Sequence, residues 1–137
     1  MATAAGPSHR TEPLHLGEAA RGLAETWRPR VAAQVNDVLV KVVRIDGDFV
    51  WHDHPDTDEA FLCLSGRLTI DLRDGEPERE RAITLGPGDL YVIPRGVYHC
   101  PHAEPGTTIA LLEAAGVVNT GAAESELTAP VDRPLGD

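Results

Sequence analysis

The side chains able to do chemistry crowd into Trp51-His52-Asp53-His54-Pro55-Asp56-Thr57-Asp58-Glu59 and, about forty residues on, Pro94-Arg95-Gly96-Val97-Tyr98-His99. Residues two apart on an extended strand project from the same face, so His52 and His54 offer two imidazoles to one point. Glu59 follows a short Pro-Asp turn and opens the next strand, where antiparallel return brings its carboxylate beside them. His99 follows a tight turn at the head of another strand and adds a third imidazole. Three nitrogens and one carboxylate oxygen suit one divalent transition metal, Mn, Fe, Ni, Cu or Zn, and suit Ca or Mg poorly. Four protein ligands leave two positions of an octahedron open, and open positions are where a substrate, water or dioxygen binds. Each histidine alone reads as an ordinary core or surface residue; only the set points to a metal.

Competing chemistries find little support. Ser65 lacks the glycines of a nucleophile elbow, and Gly86-x-Gly88 is followed by no Lys-Ser/Thr and no helical pattern, so it reads as a turn. The acidic run Asp53, Asp56, Asp58 lacks the glycine and distal glutamate of a calcium loop. Lys41 is the only lysine, so any Schiff-base or phosphate-clamping mechanism must use it. Cys63 shares a strand parity with Glu59 and Phe61, which turns it toward the interior, where packing is its simplest role. Tyr98 and Cys100 flank His99 and point away from it. His102 reads as a surface residue, Arg44 and Arg95 as exposed arginines that could orient an anion at a site mouth, and His9 and His15 receive no role.

The elements that position these groups are short. Apolar, β-branched runs at 31–35, 38–45, 49–54, 60–64, 68–72, 82–85, 90–93, 97–101 and 107–113 are separated by turn pairs such as Asn36-Asp37, Ser65-Gly66 and Arg95-Gly96. Even spacing of short strands predicts an all-β fold, an antiparallel sandwich or barrel. Leu16, Ala19, Ala20, Leu23 and Trp27 recur at helical spacing before Pro29, which predicts one short N-terminal helix. Residues 38–43 and 109–112 are apolar on both parities, so both faces of those strands need cover, from the helix or from a second copy; a homodimer is the expectation.

The chain has 137 residues and a formal charge of −10. That length predicts one domain, here 14–117, with a flexible segment over 1–13 and a tail over 118–137. The negative surface argues against nucleic acid and anionic lipid as partners and leaves a small molecule as the expected one. No basic start followed by an apolar stretch opens the sequence, so the expected location is the cytoplasm.

With His52-x-His54-x4-Glu59-x6-Gly66 and then Gly88-x5-Pro94-x-Gly96-x2-His99, the chain resembles the cupin superfamily. The match runs from about Gly47 to Ala103. Gly47 stands four residues before His52 where the family motif has five, and Ala103 replaces the closing asparagine of the second motif; neither is a ligand position. In detail the chain looks like small single-domain bacterial cupins often labelled mannose-6-phosphate-isomerase-like, a label that carries no sugar chemistry with it. The resemblance implies a small antiparallel double-stranded β-helix, the jelly-roll barrel, and the metal ligands His52, His54, Glu59 and His99. Two function classes follow. One is a metal-dependent enzyme acting on a small enolisable molecule, as a dioxygenase or as a Lewis-acid isomerase or cyclase, with Glu59 able to serve as base if it leaves the metal. The other is a non-catalytic small-molecule-binding or sensor protein with a structural metal.

Overall fold

Alternation is written most plainly in β4 (Leu68–Asp74), where Leu68, Ile70 and Leu72 are buried and the residues between them are not. It forms a hairpin with β5 (Arg79–Leu85), in register from Leu68↔Leu85 to Asp74↔Arg79. In this computed structural model, which describes residues 11–136, the other elements are α1 (Leu16–Arg21), β1 (Arg30–Val35), β2 (Val38–Asp48), β3 (Glu59–Ser65), β6 (Leu90–Ile93) and β7 (Tyr98–Ala114).

β7 is the spine. The sequence predicts two strands split at Pro105-Gly106, yet one strand of 17 residues runs through. Its first part pairs with β4 and its last part lies between β2 and β3. β2 follows β7 along both parts, which keeps the strand continuous across its proline and glycine. The sheet order is β1-β2-β7-β3-β6, with the β4–β5 hairpin attached to β7. Val43, Ile45, Phe61, Ile70 and Ile109, from four different strands, meet in one cluster, so the sheet curls back on itself into a jelly-roll barrel.

Gly66 marks the tightest reversal. Its φ is +80°, and a Cβ there would lie 2.7 Å from the Thr107 Cα. Thr107 closes the corner, since its hydroxyl accepts from the Arg67 N–H at 3.0 Å and donates to the Glu104 carbonyl at 2.7 Å.

Segment 49–54 does not form the predicted strand. It stays beside β7 through spaced contacts, the Phe49 N–H on the Pro101 carbonyl at 2.9 Å and a bridge between His52 and His99, with no continuous ladder. α1 is also shorter than the predicted pattern: it ends at Arg21, capped by the Gly22 N–H on the Glu18 carbonyl. Trp27 lies beyond its end and is buried in the main core instead. The helix covers part of the outward apolar face, packing Ala20 against Ala32 and Val42. Leu90 and Val92 on β6 stay exposed. Residues 118–136 lie on the barrel, with Thr120 and Ala129 buried and the Leu135 N–H bonded to the Val31 carbonyl at 2.9 Å. No helix among the described residues is long and apolar enough to cross a membrane. His9 lies outside the described residues.

Candidate metal centre

His52 and His99 are fixed by the backbone before their rings do anything. Each N–H donates to the other's carbonyl at 2.9 Å. Each ring then turns the same way, with Nδ1 against a carbonyl two residues back: Val50 at 2.8 Å for His52 and Val97 at 2.9 Å for His99. A carbonyl can only accept, so Nδ1 carries the proton and Nε2 is left with a free lone pair. His54 is held by the turn before His99, since its carbonyl accepts from the Gly96 N–H at 3.0 Å. Asp58 ties the same two loops together by accepting from the Arg95 N–H at 2.9 Å. Glu59 opens β3 opposite Ile93.

The result is convergence. One donor atom from each of His52, His54, Glu59 and His99 lies within 4.8 Å of all the others, and all four residues are buried. Glu59 Oε1 is 3.5 Å from His54 Nε2 and 3.4 Å from His99 Nε2. Among the described residues, none of these three atoms has a hydrogen-bond partner. Burying such atoms unpaired costs free energy that a shared cation would return, so the donor set fits a borderline divalent ion. Burial, with the neighbouring His99, pushes the His52 imidazole down to about 4, which keeps it neutral and able to coordinate.

Two different environments flank the cluster. On one side, Trp27, Phe49, Phe61 and Leu111 wall a cavity of about 30 Å³ that reaches His52 and Glu59. Trp27 stacks on Phe49 with centroids 4.6 Å apart, and Phe49 sets its edge to His52 at 5.3 Å. On the other side is a charged group that the sequence analysis did not single out. Lys41 Nζ is 2.7 Å from Glu113 Oε2 and 2.9 Å from Asp132 Oδ1, and the Lys41 ammonium is only 3% exposed. Burial would strip its proton, but Glu113 and Asp132 outweigh that and hold the group charged. Glu113 follows the Ala60↔Leu112 pair in register and so stands beside Glu59. Burial and the Glu59 carboxylate push Glu113 up, against the Lys41 ammonium that favours its charged form. Burial also works against ionised Glu59, but Glu113 and the imidazoles outweigh it and hold Glu59 well below the usual range. The available signal was Lys41 itself, a lone cation inside an apolar run, which implies a buried counter-ion.

The other named residues stand apart from the cluster. Cys63 is fully buried, its Sγ 3.5 Å from the Ser65 carbonyl. Tyr98 stacks on Trp51 with Arg73 above the Trp51 ring at 4.6 Å. His102 pairs with Asp71 at 3.3 Å, Arg44 donates to the Leu23 carbonyl and Arg95 faces Asp58. His15 caps α1 by accepting from the Glu18 N–H.

The family model for the cupin domain matches residues 40–114. The chain is 40% identical over 67 residues to YdbB of Bacillus subtilis (strain 168), 49% of this chain and 55% of that one, so it spans about half the length of that relative. It is 43% identical over 51 residues to acireductone dioxygenase 4 of Arabidopsis thaliana, 37% of this chain and 26% of that one. Among solved structures, a cupin-2 domain containing protein from Shewanella frigidimarina superposes with a TM-score of 0.66 at 40% identity, covering 74% of this chain and 93% of that one.

Proposed function

The chain belongs to the cupin family, and from that premise we propose that it binds one divalent transition metal through His52, His54, Glu59 and His99 and acts on a small enolisable molecule. The observation that carries this reading is the set of three buried donor atoms with no partner but one another. When bound, the ion supplies Lewis acidity and open coordination positions, which serve a dioxygenase or an isomerase or cyclase alike. The chain's own residues orient it. Val50 and Val97 fix two imidazole tautomers, Phe49 and Phe61 keep water from the rings, and Glu59 is the one carboxylate placed to take a proton from a carbon beside a carbonyl. The partial similarity to acireductone dioxygenase 4 supports the enediol end of this substrate range.

A second reading is favoured by the tightness of the cavity, about 30 Å³: a ligand-binding cupin whose metal orders the barrel. Loading metal-free protein with Fe, Mn, Ni, Cu and Zn in turn and assaying diketones, enediols and catechols, with and without oxygen, separates the two. Turnover with one metal form supports the enzyme. Tight binding with no turnover in any form supports the second reading.

Exposed Leu90 and Val92 support a homodimer, with light scattering as its test. The two free cysteines suit a cytoplasmic location. The charge of −10 supports a small molecule over nucleic acid as partner.

A further inference from the structure

The cavity beside His52 and Glu59 has no polar group to spare. Among the described residues Asn119 is its only amide, and every part of that amide is committed: Nδ2 donates to the Trp27 carbonyl at 3.2 Å and the Leu127 carbonyl at 3.0 Å, and Oδ1 accepts from the Ala129 N–H at 2.9 Å. No cationic side chain among the described residues lines it either. The interior cation of this barrel, Lys41, is held between two carboxylates on the other flank. A hydroxylated tail in this cavity would lose its hydrogen bonds to water and find none in return. A phosphate or carboxylate tail would give up its hydration there and find neither a cationic side chain nor a free donor among the lining residues.

The wall that limits length is also fixed. Trp27 has φ 62°, a left-handed backbone that a bulky residue adopts only under constraint. Three hydrogen bonds supply the constraint: its N–H to the Arg44 carbonyl at 2.8 Å, its indole Nε1 to the Asp46 carbonyl at 2.8 Å, and its own carbonyl to Asn119. Held there, the indole leaves space for about two water-sized groups beside the cluster.

We propose that the ligand is an uncharged molecule with a metal-chelating enol head and a short apolar tail of one or two carbons, and that Trp27 sets the length of that tail. The proposal rests on the metal-binding reading above. A phosphorylated or polyhydroxylated tail does not fit this cavity, whatever the reaction at the head.

The test uses full-length protein loaded with Co²⁺, its metal content measured first, with ligand affinity read from the Co²⁺ absorption spectrum. Acetylacetone should bind about tenfold or more tighter than benzoylacetone, the range one or more carbons command in a tight apolar pocket. In Trp27→Ala that order should reverse. Succinylacetone should bind more weakly than the neutral diketone of equal length and branching in both proteins, because its tail ends in a carboxylate. The wild-type comparisons stand by themselves should Trp27→Ala not fold, and Leu111→Ala then enlarges the same cavity. Tighter binding of the charged tail, or an unchanged size order in a folded enlarged variant, overturns the proposal alone. Failure to retain any divalent metal overturns it together with the metal reading.

Discussion

The two flanks of the histidine–glutamate cluster are built from opposite materials. The Trp27–Phe49 side is apolar and its one amide is spent, whereas the Glu113 side gathers a buried ammonium and two carboxylates, Glu113 buried and Asp132 partly exposed. Each is closed by a residue from outside the barrel strands, Trp27 before β1 and Asp132 after β7, and both have a left-handed backbone, with φ of 62° and 52°. What differs is where the free energy lies: the apolar side gains from removing surface from water, while the ionic side gains only if its partners stay together.

The largest effect should come from the cluster between the flanks. His52→Ala with His99→Ala should reduce metal affinity by more than about a hundredfold, since even partners outside the ligand shell command 10–100-fold. Metal analysis after dialysis checks this, and Phe49→Leu on the apolar flank should leave one metal per chain.

Next comes the ionic flank. Lys41→Met leaves Glu113 and Asp132 without their cation and should cost about 3–5 kcal/mol in chemical denaturation. Adding Glu113→Leu and Asp132→Leu should recover much of that loss; if it does not, the flank contributes more than self-neutralisation.

Acid sharpens the comparison. In the unfolded chain the His52 imidazole takes up a proton near pH 6.5, but in the metal-free fold only near 4. Over that window the unfolded state holds more protons. Stability should therefore be complete above pH 6.5, fall by about 3 kcal/mol down to pH 4, and level off below as far as this group is concerned. Urea titrations at a series of pH values measure it. The smallest effect belongs to the surface: Arg95→Ala removes an exposed pair with Asp58 at 3.7 Å and should shift stability by less than about 1 kcal/mol.

How much of this was legible in the sequence depended on range. The alternation of β4 and the spacing of His52, His54, Glu59 and His99 are local patterns, and the barrel and the four-residue cluster follow them. The irregular path of residues 49–54 was missed because apolar neighbours resemble a strand whether its partners form a continuous ladder or, as here, only spaced bonds at Phe49 and His52. Glu113 was missed because its place beside Glu59 is set by strand register between segments about fifty residues apart. Trp27 was assigned to the helix by its spacing, and what moved it into the core is a set of bonds to Arg44, Asp46 and Asn119 that no local pattern encodes.

The long β7 strand also governs the order in which the chain can become a barrel. During synthesis β2, β3 and β4 emerge before it, yet each has one of its two neighbours there. Until residue 114 has cleared the ribosome, those strands offer unsatisfied edges to one another and to neighbouring nascent chains. The last strand made is the one that closes the barrel, so a ribosome stalled before β7 holds a polypeptide with three waiting strands and no place yet for His99.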